Sequence, residues 1–508
     1  MKDVEAGFCE MPLPWDEFVQ MYPPGSFRVV RRFQVMQASG KRRPCDDGDQ
    51  GGHSALTADD NQLELCAATQ PAVAVSQIHE RASLLGMEPE LLPDQLESGG
   101  DDWPDAYRYT PFDQAQRMMA VVIFWHHVWQ KPALAVYRGL LFGLSGAVVA
   151  FNRFSKFVQH MGRQLLFIML SMYFDDASYQ DWKSCHGSGQ RYLQKVLTVL
   201  GRPFAPAKRQ DMASQADFLG LVHSMDKALQ GKVEFWPRTS ILTSLNRILV
   251  DAWLDNYLPP GMASKVYGMW NFLETGLWGH LGRAGLIHLR RRMYVDLPPY
   301  SINAGIEGLI RMFSALLKYE YKREFCVRPK VGVQVPRFLA ASDAAADDQS
   351  APTGGFLLQC LPGPKLAAVV DLDASVRAMM DPGCQKIAQW ELIQVLAALV
   401  VYPWVFRGRR GLWFIDNVVA LFALVKGRSG VPDLDAIALV VHGALFSLHC
   451  SMYYEYVQSS SNWSDEISRK GLSGSWHRRH EFCPAQISIP VVVLQLDLQT
   501  LLHVFSWL

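Results

Sequence analysis

No pair of cysteines in this chain stands at metal-ligand spacing. The nine cysteines, Cys9, Cys45, Cys66, Cys185, Cys326, Cys360, Cys384, Cys450 and Cys483, are scattered and form no Cys-x-x-Cys. A cysteine zinc site is therefore excluded, and the thiols read as reduced and mostly buried. An excess of one charge is also lacking: Lys and Arg total 49, as do Asp and Glu. That balance withholds the global basicity of many nucleic-acid binders, so any polyanion groove must be local. The longest apolar runs, Gln164 to Phe174 and Ile437 to Leu448, fall short of the roughly 20 residues a membrane helix needs. The N-terminal MKDVEAGFCEMPLPWDE is acidic and interrupted by proline, unlike a signal peptide. The expectation is an intracellular protein, in cytoplasm or nucleus, with no membrane partner.

What is present is material for several buried cores: 508 residues, 49% apolar and 19% charged. Residues 40–60, rich in Gly, Asp and Arg, read as a solvated loop. Residues 115–160 read as helical, as does much of 241–323. Composition shifts suggest boundaries near 225, 335 and 470, giving segments 226–335 and 336–470 after an N-terminal extension 1–24 and a segment 25–225. The tail 471–508 contains the apolar stretch IPVVVLQLDLQTLLHVFSWL and receives no role from the sequence. In 226–335, Arg290-Arg291-Arg292 and Lys318 to Arg323 lie amid aromatic residues, as in a surface that grips a duplex backbone. A helical spacer with solvated charges is the alternative.

Two groups of carboxylates carry the chemistry. The run QLLFIMLSMYFDD, Gln164 to Asp176, is apolar and β-prone until it stops at Asp175-Asp176, as at a hairpin tip. Adjacent carboxylates repel, so such a pair either faces water or holds a cation. Upstream stand Asp101-Asp102-Trp103-Pro104-Asp105-Ala106-Tyr107-Arg108 and then Phe142-Gly143-Leu144-Ser145-x-Ala-x-x-x-Phe151. In that order and spacing these three segments resemble the palm of reverse transcriptases. The likeness extends to Arg31-Arg32-Phe33 and Gly40-Lys41-Arg42-Arg43-Pro44, similar to the fingers. It continues through Leu200-Gly201-Arg202-Pro203-Phe204 to Lys208 and Phe218-Leu219-Gly220, similar to the late palm and primer turn. The resemblance implies that Asp102 and Asp175, with Asp176, ligate two Mg²⁺ ions for phosphoryl transfer. It further implies that Tyr107 excludes a 2′-hydroxyl, that Arg42 and Lys41 hold the triphosphate, and that Lys208 protonates the pyrophosphate. Phe142, Gly143 and Tyr173 would contact template and primer. The turn reads Leu140-Leu141-Phe142 where many relatives place proline, which bears on the template contact there.

From 336 onward the pattern changes. RFLAAS ends at Asp343; TGGFLLQCL and KLAAVVDL follow as strand-like runs; 385–402 reads as a helix containing Glu391; GLWFI leads to Asp416; SMYYEYVQ reads as a strand; and a short helix begins near Asp465. That order, with Phe414-Ile415-Asp416-Asn417 and Asn462-Trp463-Ser464-Asp465-Glu466-Ile467-Ser468-Arg469, resembles the ribonuclease H of retrotransposons. The resemblance implies a second two-metal site of Asp343, Glu391, Asp416 and Asp465 that activates water against an RNA phosphate. Asp371 or Asp373 is the alternative to Asp343 as the first carboxylate.

The expected fold is α+β multidomain: a right-hand polymerase with fingers, palm and thumb or connection, then a ribonuclease H-like α/β domain with a mixed five-stranded sheet. The expected activity is RNA- and DNA-directed DNA synthesis with RNA cleavage in RNA-DNA hybrids, nearest in pattern to DIRS and Ty3/gypsy-like retrotransposons. The implied cofactor is Mg²⁺, two per site, with Mn²⁺ as a substitute. The implied partners are RNA template, DNA primer, hybrid and deoxynucleoside triphosphates. An inactive or truncated remnant that only binds nucleic acid, and an unrelated helical interaction protein whose aspartates are turn residues, are the rival readings. Oligomeric state, template preference and priming mode stay open.

Overall fold

A computed structural model of the chain describes residues 2–36, 42–58, 63–87, 94–319, 322–327, 336–345, 353–372, 374–378 and 386–506. The chain divides into two compact units, residues 1–234 with 325–328, and residues 235–324 with 329–508.

In the first unit, β1 (Leu13–Pro14), β2 (Val29–Met36), β3 (Arg42–Asp47), β5 (Val121–His126) and β6 (Lys131–Val136) form a sheet of order β1-β6-β5-β2-β3. A second sheet, of order β7-β8-β4-β9, contains β4 (Leu96–Asp102), β7 (Met169–Tyr173), β8 (Asp176–Trp182) and β9 (Gln210–Ala213). The helical expectation for 115–160 is thus half wrong. Residues 121–136 are a β-hairpin, and only Ser145–Gln164 is a long helix. Val121 and Val122 are both fully buried. A strand buried on both faces is a continuous apolar run, which periodicity cannot separate from a buried helix; the β-branched and aromatic residues of VVIFWH decide for strand. The second sheet packs on Ser145–Gln164 through Phe151, Val158, Leu170 and Met172, joined by Trp103 and Phe204 stacked 4.7 Å apart. β10 (Gln215–Phe218) and β11 (Leu221–Ser224) make a tight hairpin. β12 (Lys232–Pro237) and β13 (Arg323–Cys326) lie where the chain passes between the units.

The second unit opens with helices Thr239–Asp255, Pro260–Leu273, Leu286–Tyr294 and Ala304–Lys318. The last is capped by Asn303, whose side chain accepts the Ile306 N–H at 3.0 Å. A mixed sheet follows, built from β14 (Phe338–Ala345), β15 (Thr353–Cys360), β16 (Lys365–Leu372), β17 (Arg410–Ile415), β18 (Ser451–Tyr456) and β19 (Cys483–Ile489), in the order β18-β17-β14-β15-β16-β19. The first three strands are antiparallel neighbours, while β14–β17, β17–β18 and β16–β19 are parallel pairs. Six strands replace the five expected, because the tail supplies β19, paired with β16 from Leu366↔Cys483 to Leu372↔Ile489. Helix Ile387–Val401 is buried nearly all round, including Gln389, Glu391 and Gln394, and helix Pro432–Ser447 shares its core. Helix Leu498–Ser506, near the C-terminus, seats Leu501 against Gly443, where an added Cβ would stand 2.8 Å from Leu501 Cδ1. Within the tail, Val493, Leu494, Leu498 and Leu501 are thereby buried. No described helix is long and apolar enough to cross a membrane, and the cysteines that the structure describes are free thiols.

Candidate active sites

The first site forms where β4 ends and the β7–β8 hairpin turns. Asp102 lies opposite Asp176 in register, and Tyr173 opposite Asp176 across the hairpin. Phe174 takes the left-handed conformation, φ 49°, which a bulky residue adopts only under constraint. The Ser155 hydroxyl, from the long helix, donates to the Phe174 carbonyl. The Trp103 N–H donates to the Asp175 carbonyl at 3.2 Å. The hairpin tip and the Trp103 neighbourhood, 70 residues apart in sequence, are therefore in contact, and Asp175 is set beside Asp102. Burial, then repulsion from Asp102, raises the Asp175 carboxyl above its ordinary value, against the pull of Lys208 and Arg43. Lys208 Nζ donates to Asp102 Oδ1 at 2.6 Å.

Tyr107 forms one wall of this site, its ring 5.3 Å from Phe142 and 4.9 Å from Phe151. Burial and the nearby Asp175 and Tyr173 push its hydroxyl up to about 12. It stays a neutral phenol. Gly143, with φ 110°, is required where it stands, since a Cβ would fall 2.0 Å from the Asp46 carbonyl oxygen. Asp46 is itself fixed by Arg32 Nε at 2.6 Å, and Arg32 and Arg108 both lie against the Tyr137 ring, 4.7 and 4.6 Å from its centroid. This ionic cluster ties β3 to Arg32 and Arg108, and the Asp46 carbonyl of the same strand meets the turn that presents Phe142 at Gly143.

Lys41 lies outside the described residues. Arg42 is exposed on β3, and the basic side chain beside the carboxylates is its neighbour Arg43, whose guanidinium is 5.3 Å from the Phe142 ring and acts on Asp175. Adjacent strand residues point to opposite faces, so choosing between them needed knowledge of which face of β3 looks inward.

The second site is tighter. One oxygen each from Asp343, Glu391 and Asp416 lie within 4.8 Å of one another. Asp343 sits near the end of β14. Glu391 projects from the buried helix, its Oε1 accepting the Ala344 N–H at 3.0 Å. Asp416 follows β17 directly, and Asn417 then caps the next helix by accepting the N–H groups of Val419 and Ala420 at 3.0 and 3.1 Å. Burial first, then Asp416 and Asp465, push the Asp343 carboxyl up to about 6. Burial, Asp343 and Asp416 hold Glu391 well above its ordinary value. Asp465 acts on Asp343 electrostatically but stands outside the tight group, its Oδ1 paired with Arg469 Nε at 2.7 Å. Asp371 is not at this site: its carboxylate accepts the Gln486 side-chain amide at 2.6 Å, and Asp373 lies outside the described residues.

These residues fit divalent cations. Glu391 Oε2 is buried and, among the described residues, accepts no N–H or hydroxyl donor, and the three carboxylates repel at close range; hard oxygen donors in that state are what Mg²⁺ requires. At the first site the donors are of the same kind, although Lys208 partly neutralises Asp102.

No protein-family model matches the chain, and no protein of curated function matches it. Among solved structures it is similar to a foamy viral protease-reverse transcriptase dRH in complex with double-stranded DNA. There the identity is 12% and the TM-score 0.42, over 90% of this chain and 68% of that one. It is likewise similar to a foamy viral protease-reverse transcriptase with double-stranded DNA, 12% identical, TM-score 0.40, over 84% of this chain and 77% of that one. A third such structure, with an RNA/DNA hybrid, has the same identity and TM-score and is covered over 50% of its length by 84% of this chain.

Proposed function

We propose that the chain is a retrotransposon reverse transcriptase: an RNA- and DNA-directed DNA polymerase with hybrid-specific RNA cleavage. The observation that carries this reading is the presence in one chain of two separate carboxylate sites, each at strand ends. One is walled by Tyr107 and flanked by Arg43 and Lys208; the other is buried on a mixed sheet. At the first, Asp102, Asp175 and Asp176 would hold Mg²⁺, which when bound lowers the pKa of a primer 3′-hydroxyl and offsets charge on the transferred phosphoryl group. Tyr107 closes the space beside the incoming sugar, so a 2′-hydroxyl meets its ring. Arg43 binds phosphate oxygens through its planar guanidinium group. Lys208 Nζ, released from Asp102, hands its proton to the departing pyrophosphate oxygen. At the second, Asp343, Glu391, Asp416 and Asp465 would hold Mg²⁺ that orients water toward an RNA phosphate. Hybrid selection follows from the 2′-hydroxyls and the A-like shape of the substrate.

Primer extension on poly(rA)/oligo(dT) tests the polymerase, and release of label from an RNA-DNA hybrid tests the nuclease. Synthesis lost in Asp175→Asn and cleavage lost in Asp416→Asn are the expected results. A purified, folded chain with neither activity would leave only nucleic-acid binding.

A further inference from the structure

We infer that Ser468 is the positioning residue of the second carboxylate site, its hydroxyl setting the rotation of the Asp343 carboxylate toward Glu391 and Asp416. This rests on the proposal that the site holds a divalent cation.

Ser468 is 1% exposed on helix Asp465–Lys470. Its Oγ donates to Asp343 Oδ2 and lies 2.9 Å from the Asp465 carbonyl oxygen. A hydroxyl has one proton, and of these two acceptors the carboxylate is the stronger. A carboxylate joined to its chain by freely turning single bonds has no preferred direction of its own, and this hydrogen bond supplies one. Oδ2 is tied, so the plane of the group, and with it the direction of its other lone pairs, is set before any cation arrives.

Ser468 can do this only if its helix is rigidly placed, and five further hydrogen bonds place it. The Ser468 carbonyl accepts the Thr353 hydroxyl at 2.8 Å, fastening the helix to β15. Ahead of the helix, the Asn462 amide donates to the Ser342 carbonyl at 3.0 Å, one residue before Asp343, while its oxygen accepts the Ser464 N–H and hydroxyl at 3.1 and 2.6 Å. Trp413 Nε1 donates to the Ser342 hydroxyl at 2.9 Å, joining β17 to the same point. The helix that bears Asp465 is thus tied to β14, and one link in that tie is the carboxylate itself. Ser468 also couples the fourth carboxylate to the first, since Asp465 begins the helix that it closes onto Asp343.

Groups that orient metal ligands cost about 10- to 100-fold in metal affinity or activity when removed. The test uses the full chain and the nearly isosteric pair Ser468→Thr and Ser468→Val, which differ in the hydroxyl. Mn²⁺ binding is followed by electron paramagnetic resonance, and the Asp416→Asn protein identifies the fraction bound at this site. Ser468→Val is expected to weaken that binding by about tenfold, and to raise by a similar factor the Mg²⁺ needed for half-maximal hybrid cleavage, with most of the rate recovered at saturating metal. Ser468→Thr is expected to keep wild-type binding. A folded Ser468→Val protein with unchanged Mn²⁺ affinity overturns the inference, as does loss of affinity in both variants, which would trace the effect to packing. Hydroxyl-dependent Mn²⁺ binding in a wild-type chain that cleaves no hybrid supports the inference while the nuclease reading fails. Absence of any Asp416-dependent Mn²⁺ binding overturns both.

Discussion

At the first carboxylate site Asp102 has a cation in contact, Lys208 Nζ at 2.6 Å, and keeps 23% of its side chain exposed. At the second, Asp343 and Glu391 are 5% and 1% exposed, and among the described residues neither forms an ion pair. Both places gather like charges, but one offsets them with a lysine and water and the other with neither. In the second, burial disfavours the charged forms and repulsion among the carboxylates adds to it, outweighing the Ser468 hydrogen bond and the pull of Arg469 on Asp343, so Asp343 and Glu391 are raised. On the proposed reading the first site opens to a nucleotide and a moving primer with each addition, and its solvent access suits that. A buried cluster instead stores electrostatic strain that a divalent cation releases.

The largest expected effect tests whether the sites are independent. Asp416→Asn should lower hybrid cleavage by about three orders of magnitude, several kcal/mol of lost charge stabilisation, and leave primer extension intact; Asp175→Asn should do the reverse. Loss of both activities in either variant breaks the comparison. Next in size, Tyr107→Ala should raise ribonucleotide incorporation relative to deoxyribonucleotide by about tenfold or more, measured by single-nucleotide extension, with cleavage unchanged.

The pH responses sharpen the contrast. Asp343 and Glu391 have folded-state values above their unfolded ones, so their ionisation opposes folding. The penalty is absent below the ordinary carboxylate range and fully present above the folded values. In EDTA, the thermal midpoint of the second unit should therefore fall as pH rises from about 4 through about 6 and beyond. Hybrid cleavage, which needs the ionised groups, should be lost as pH drops through that same region, and Mg²⁺ should raise the midpoint more at pH 8 than at pH 5. A midpoint in EDTA that climbs over this range contradicts the stored repulsion. The smallest effect is the isolated one: Glu391→Gln, which removes one buried charge, should stabilise the metal-free chain at pH 8 by about 1–2 kcal/mol, the scale of one pKa unit, while abolishing cleavage. Denaturant unfolding in EDTA reads it directly.

Much of the architecture was legible because the strands and helices of 336–470 carry their own local signatures. Asp343, Glu391 and Asp416 were found as carboxylates at strand ends or within a helix, and the structure brings them together. The hairpin of 121–136 was misread because a doubly buried strand loses its alternation. Arg43 was left without a role because two adjacent arginines are equivalent until a strand face is assigned. The tail was left without a place because β19 alternates weakly, and its partner β16 lies more than 100 residues earlier.

By itself, the sequence determined which residue types stand at each turn and strand end. It also placed a glycine at 143, just before a helix, and a serine three residues after Asp465. Such information is local: it follows from backbone sterics, hydrogen-bonding capacity and apolar patterning over a few residues. Only the tertiary structure decided that Trp103 meets the Asp175 turn, that Lys208 closes on Asp102, and that Ser468 reaches Asp343 across 125 residues. Those pairings depend on which buried faces pack together, a property of the whole core that no short segment contains.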